Sequence, residues 1–115
     1  MDITSIIIII SIIVIFILLR FRNSKKVNGY IKNGSLVLDV RSTSEYDMGH
    51  FPKSINIPLD ILSSNISNLN DENKIIVVVC ASGMRSASAC SILKKNNINC
   101  INGGSWNSLK WLDIY

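Results

Sequence analysis

Residues 75–79 read Ile-Ile-Val-Val-Val, five β-branched apolar side chains with no polar break. Such side chains suit a pleated backbone, and a strand that is apolar on both faces needs cover on both. That is the situation of a strand inside a parallel sheet, so this run sets the centre of the fold. It stops at Cys80, passes through the small residues Ala81, Ser82 and Gly83, and meets Met84 and Arg85. From Ser86 to Asn96 the pattern turns helical, with Ala89, Ile92 and Leu93 on one face and Lys94 and Lys95 in the last turn, where cations suit the helix dipole.

The flanking segments repeat this alternation. Residues 35–40, Ser-Leu-Val-Leu-Asp-Val, have strand length and apolarity, and Ser42 or Ser44 is placed to cap a helical turn after them. Pro52 and Pro58 bracket Ile55–Ile57, which predicts a short strand between loops. Leu62, Ile66 and Leu69 share one face of a helix over residues 61–69, ended by the polar residues 70–74. Cys100 to Trp106 predicts a short edge strand with the glycine pair Gly103 and Gly104, and Trp106 to Trp111 a closing helix. Strands alternating with helices in this order imply an α/β domain with a mainly parallel central sheet flanked by helices.

The first residues belong to something else. Between Ile3 and Phe21 only Thr4, Ser5 and Ser11 are polar before Arg20. As a helix this stretch spans roughly 28 Å, enough for a hydrocarbon layer of about 30 Å. β-branched isoleucine is a middling helix former in water, but lipid leaves the backbone no other partners. A cleaved signal peptide is the competing reading. Against it, no Lys or Arg precedes the run and no small-x-small cleavage pattern precedes the basic cluster. The expected organisation is a transmembrane anchor over residues 1–21, a polar juxtamembrane tether over 22–29 that runs into a turn or brief helical segment, and one α/β domain over 30–115. Arg20, Arg22, Lys25 and Lys26 follow the span while Asp2 alone precedes it, which puts the domain on the cytoplasmic side of a single-pass membrane protein.

The formal charge of +4 divides unevenly: residues 1–26 hold four cations and one anion, and residues 27–115 hold eight cations and seven anions. No dense basic patch is left in the domain, which argues against a nucleic-acid partner. Cys80, Cys90 and Cys100 form no CxxC pair, and His50 is the only imidazole, so no metal site is expected. An odd thiol count in a reducing compartment also argues against a disulfide framework.

Cys80 therefore sits at the carboxyl end of a central parallel strand and before a helix N-terminus, where open α/β sheets place their ligands. Small residues after it allow the backbone to curl so that successive amides point inward as an anion-binding nest. Such a nest, with the charge of Arg85 beside it, favours thiolate over thiol. Cys90 and Cys100 read as packing residues. Arg85 suits either of two tasks, pairing with a carboxylate such as Glu45 or attracting substrate. His50 reads as a structural hydrogen-bonder, Asp39 with Arg41 as a framework pair, the glycine pair as a place of unusual dihedrals or close approach, and Met84 as a candidate for the pocket mouth or plain surface.

Residues 36–59, LVLDVRSTSEYDMGHFPKSINIPL, together with CASGMRS and GGSW, make the chain similar to the rhodanese-like sulfurtransferases over most of residues 30–111. The resemblance implies that Cys80 accepts a sulfane sulfur from a donor such as thiosulfate, holds it as a persulfide among loop amides, and passes it to cyanide or another thiophilic acceptor. It places Ala81, Ser82, Gly83, Met84, Arg85 and Ser86 around the bound sulfur and makes Asp39, Arg41, Glu45 and His50 framework residues. No cofactor is implied, and the partners are a small-molecule or protein-bound sulfur donor and acceptor. The chain departs from the pattern in two ways: the strand and helix that longer members carry before Tyr30 are missing, and Trp106 and Trp111 flank the usual tryptophan position. Two other classes remain open: a noncatalytic binding module of the same fold, and a phosphatase or arsenate reductase. The second needs C-x5-R, whereas Cys80 to Arg85 is C-x4-R.

Overall fold

The computed structural model describes residues 1–69 and 74–111. Most of the expected polar loop at 70–74, the side chain of Trp111 and the tail 112–115 lie outside the described residues. Four parallel strands form the sheet: β1 (Val37–Asp39), β2 (Ser54–Asn56), β3 (Ile76–Cys80) and β4 (Cys100–Ser105), in the order β2-β1-β3-β4. Helix α1 covers Ile3–Lys32, α2 Thr43–Asp47 and α3 Met84–Lys95, with 3₁₀ segments at Leu59–Leu69 and Trp106–Trp111.

β3 shows why its sequence is apolar throughout. All five residues are buried, and alternation sends Ile76, Val78 and Cys80 into one core and Val77 and Val79 into the other. The first core is closed by Leu62 and Leu69 of the long 3₁₀ segment and by Ala89, Cys90 and Leu93 of α3. The second is closed by Val27 and Ile31 of α1 and by Leu109. Burying each Val or Leu there contributes about 1.5–3 kcal/mol, so a charge at Val78 or Val77 would undo the central layer.

Two expectations change. The tether over residues 22–29 is not a break: α1 continues to Lys32, because Val27 and Ile31 have a sheet face to cover, and it ends at Asn33 before Gly34, whose φ is +88°. The segment 61–69 winds as a 3₁₀ rather than an α-helix. Its Leu62 and Leu69 still reach the core. Upstream, every apolar side chain from Ile3 to Phe21 is exposed, and α1 is long and apolar enough to cross a membrane.

β4 carries a bulge. Val78 pairs with Asn102 and Val79 with Gly104, leaving Gly103 as the extra residue. A Cβ at Gly103 would fall 2.7 Å from Val77 Cγ1 and 2.9 Å from Val79 Cγ1, so only glycine fits. Gly104 meets nothing within 4 Å but has φ +76°, which selects glycine by dihedral instead.

Candidate active site

Cys80 ends β3 with no solvent exposure. The chain then turns through Ala81 and Ser82 to Gly83, the N-cap of α3, which has φ +98° and no side chain to cap the helix. The turn brings the Gly83 amide to 2.9 Å from Cys80 Sγ, donating to the sulfur. Ser86, in the first turn of α3 and fully buried, puts its Oγ 3.4 Å from the same sulfur. Burial pushes the Cys80 thiol's pKa up. Hydrogen bonds from the Ser86 hydroxyl and from the backbone amides of Ser86, Gly83 and Ser82 outweigh it, and the thiol lies below its ordinary value.

Asn102 of β4 stands behind this arrangement, and the sequence pattern did not point to it. Its Nδ2 donates to the Gly83 carbonyl at 3.0 Å, and its Oδ1 accepts from the Gly104 amide at 2.9 Å and from Ser86 Oγ at 2.6 Å. Those two backbone contacts fix the amide's orientation. Ser86 has one hydroxyl proton for two acceptors, the Asn102 oxygen and the sulfur. The 2.6 Å contact to Asn102 is the shorter, and the sulfur at 3.4 Å competes with it for that proton. A polar asparagine inside a short strand, where asparagine is depleted, was the available signal.

Arg85 leaves the sulfur and turns towards α2. Its Nη1 donates to Glu45 Oε1 at 2.7 Å and its Nη2 to Glu45 Oε2 at 2.9 Å, in a half-exposed fork. Glu45 also closes a capping box with Ser42. The Arg85 hydrogen bonds, then those from Ser42, hold the Glu45 carboxyl down at about 2, and Glu45 in turn raises Arg85. Of the two tasks open to Arg85, its fork performs the clamp, tying the loop to α2.

Asp39 and Arg41 are buried and joined by a 2.8 Å ion pair. Arg41 also donates to the Gly49 carbonyl at 2.8 Å and the Glu45 carbonyl at 3.3 Å, and its guanidinium lies 4.5 Å from the Trp106 ring centroid. This pair organises the loops after β1. His50 stacks on Tyr46 at 3.7 Å between centroids, and its Nδ1 lies 2.7 Å from the Tyr46 carbonyl. Both contacts are to α2 and neither is to the sulfur. Asn56 donates to the Asp39 and Arg41 carbonyls, both at 3.0 Å, another contact the sequence did not announce.

Ala81 and Ser82 are exposed, and Met84 is 78% exposed at the mouth of the loop. On one side of the loop a cleft of about 580 Å³ runs between Arg85, Ser42 and Pro58–Ile61. On the other a cleft of about 450 Å³ separates Ser82–Met84 from α1. A cavity of about 520 Å³ at the far ends of the strands has Lys53 and Lys74 on its wall and holds none of the loop residues. Among the described residues no cluster of three or more His, Cys, Asp or Glu side chains could hold a metal ion.

A protein-family model described as the rhodanese-like domain matches residues 23–110. The chain is 34% identical over 77 residues to a tRNA sulfurtransferase of Thermoplasma acidophilum, covering 67% of this chain and 15% of that protein. It is 30% identical over 93 residues to a tRNA uridine(34) hydroxylase of Buchnera aphidicola, covering 73% of this chain and 30% of that one. It thus spans less than a third of either relative. Among solved structures it is similar to a rhodanese-like domain protein of Staphylococcus aureus, at 31% identity over 70% of this chain and 84% of that one, with a TM-score of 0.62. A rhodanese-related protein of Thermoplasma volcanium shares 32% identity over 74% of this chain and 84% of that one, with a TM-score of 0.63.

Proposed function

The chain belongs to the rhodanese-like domain family, and from that premise we propose that it is a membrane-anchored sulfurtransferase working through a Cys80 persulfide. The observation that carries this reading is the Gly83 amide 2.9 Å from a sulfur whose pKa is pulled below that of an ordinary thiol. The donor class is a sulfane-sulfur compound such as thiosulfate. The Cys80 thiolate attacks the outer sulfur, the S–S bond of the donor breaks, and sulfite leaves with the electron pair. The product is Cys80–S–S⁻, whose terminal sulfur takes the place of thiolate charge among the loop amides. A thiophilic acceptor, cyanide or a protein thiolate, then attacks that terminal sulfur and releases the Cys80 thiolate. No base is required once the thiol is ionised.

Because Cys80 is fully covered, reaction follows local parting of the Ala81–Met84 loop. The Glu45–Arg85 clamp then sets how far that loop travels. The loop spacing, one residue short of C-x5-R, favours one added sulfur over a phosphate. α1 supplies the anchor, and its flanking cations support a cytoplasmic domain, where Cys80 stays reduced.

The test is intact mass of the full chain in vesicles after thiosulfate. A gain of about 32 Da, absent in Cys80→Ser and removed by cyanide, is the expected result. No gain, or one that survives Cys80→Ser, overturns the reading and favours a noncatalytic module of the same fold.

A further inference from the structure

α1 meets the sheet at two levels. Near its C-terminus, Val27 and Ile31 are buried with Val37, Phe51 and Val77, at and beside the starting ends of the strands. Two turns earlier, Asn23 Nδ2 donates to the Asn102 carbonyl at 3.2 Å. Earlier still, Phe16 and Arg20 face Ser82, Gly83 and Met84 across the 450 Å³ cleft, and a neighbouring cleft of about 350 Å³ joins Leu19 to Gly103–Ser105. α1 therefore runs antiparallel to the four strands. Its apolar part leaves the domain at the edge where the strands end, which is the edge that carries Cys80.

The helix has no joint between span and domain. The cations Arg20, Arg22, Lys25 and Lys26 mark where the span reaches the headgroups. Asn23, bonded to β4, is only about 5 Å further along the axis. The Ser82–Met84 turn, level with Phe16 to Asn23, thus stands at headgroup height. Met84 offers an exposed apolar side chain there, and the four cations complement anionic headgroups.

We propose that the face carrying Met84 lies on the lipid headgroup layer, so that Cys80 loads and unloads sulfur at the membrane surface. This rests on reading α1 as a retained anchor. Sulfur donors and acceptors that approach Cys80 from the Met84 side are then those that enter along that layer, and a partner confined to bulk solvent is excluded from that side.

Photo-crosslinking of the full chain in vesicles of phosphatidylcholine and phosphatidylglycerol tests it. A benzoylphenylalanine is introduced singly at Met84, at Lys53 on the opposite edge, or at Ile12 within the span. The expected result is a gain of one lipid mass for the Met84 and Ile12 variants and none for Lys53. Lipid on Ile12 but not on Met84 overturns the proposal, as does equal lipid on Met84 and Lys53. No lipid on Ile12 overturns it through its premise, the anchor. Repeating the Met84 variant with Cys80→Ser must give the same adduct, because orientation does not depend on whether sulfur is transferred; a failure of the persulfide reading therefore leaves this result standing.

Discussion

Cys80 and Cys90 lie ten residues apart, both buried against the same core cluster, yet their thiols are driven in opposite directions. Burial, then the neighbouring Cys100 thiol, pushes Cys90 up to about 12. Burial also raises Cys80, but the Ser86 hydroxyl and three backbone amides reverse it. The difference is the direction of the backbone. Within α3 the amides around Cys90 are spent on the helix ladder, whereas those at the mouth of α3 have no such partners and point at Cys80. The direction of each shift follows from where a helix starts, not from how deeply a thiol is buried.

The largest effect should appear in the titration of thiolate absorbance. The signal lost in Cys80→Ser should titrate below the ordinary thiol range, and the signal lost in Cys90→Ala only near 12. Coincident midpoints would end the contrast. Next in size is Gly83→Ala. At φ +98° a side chain is strained, and its Cβ would sit 3.4 Å from Gly104 Cα. Chemical denaturation should show a loss of about 1–2 kcal/mol, with persulfide formation slowed as the amide moves off the sulfur. An unchanged rate would show that the Gly83 amide is dispensable.

A smaller change is expected from Ser86→Ala, which removes one donor but leaves the amides. The rate of persulfide formation at neutral pH should fall by roughly threefold to tenfold, and the Cys80 midpoint should rise. A drop to the level of Cys80→Ser would mean that the hydroxyl, not the amides, carries the effect. A separate expectation, confined to high pH, concerns alkaline stability. Cys90 is held neutral in the fold, so the unfolded chain loses its proton first. Its contribution is whole below the unfolded thiol pKa of about 8.5 and declines as pH rises towards about 12. Replacing Cys90 with alanine should flatten that decline in a denaturation series across this window; an identical slope would remove Cys90 as its source.

The strands and the loop were legible because their signals are local. Five β-branched residues in a row have few other solutions, and a cysteine followed by small residues before a helical pattern places a site by topology alone. What could not be read depended on distant partners. The polar stretch 22–29 looks like a tether until β3 offers a face for Val27 and, just beyond it, Ile31. Asn102 gains meaning only when the bulge sets it behind Gly83 and Ser86. The turn of Leu59–Leu69 into a 3₁₀ rather than an α-helix leaves the same leucines in the core, so apolar spacing could not separate the two.

The joining of α1 to the late strands governs the order of folding during synthesis. Val27 and Ile31 are made early, but their cover includes Leu109, and Asn23 waits for Asn102, 79 residues later. The second core is thus completed only when Asn102 and Leu109 have left the ribosome, long after α1. Until then Val77 and Val79 have Val27, Ile31, Val37 and Phe51 as cover but lack Leu109, so the cluster on that face closes in two stages.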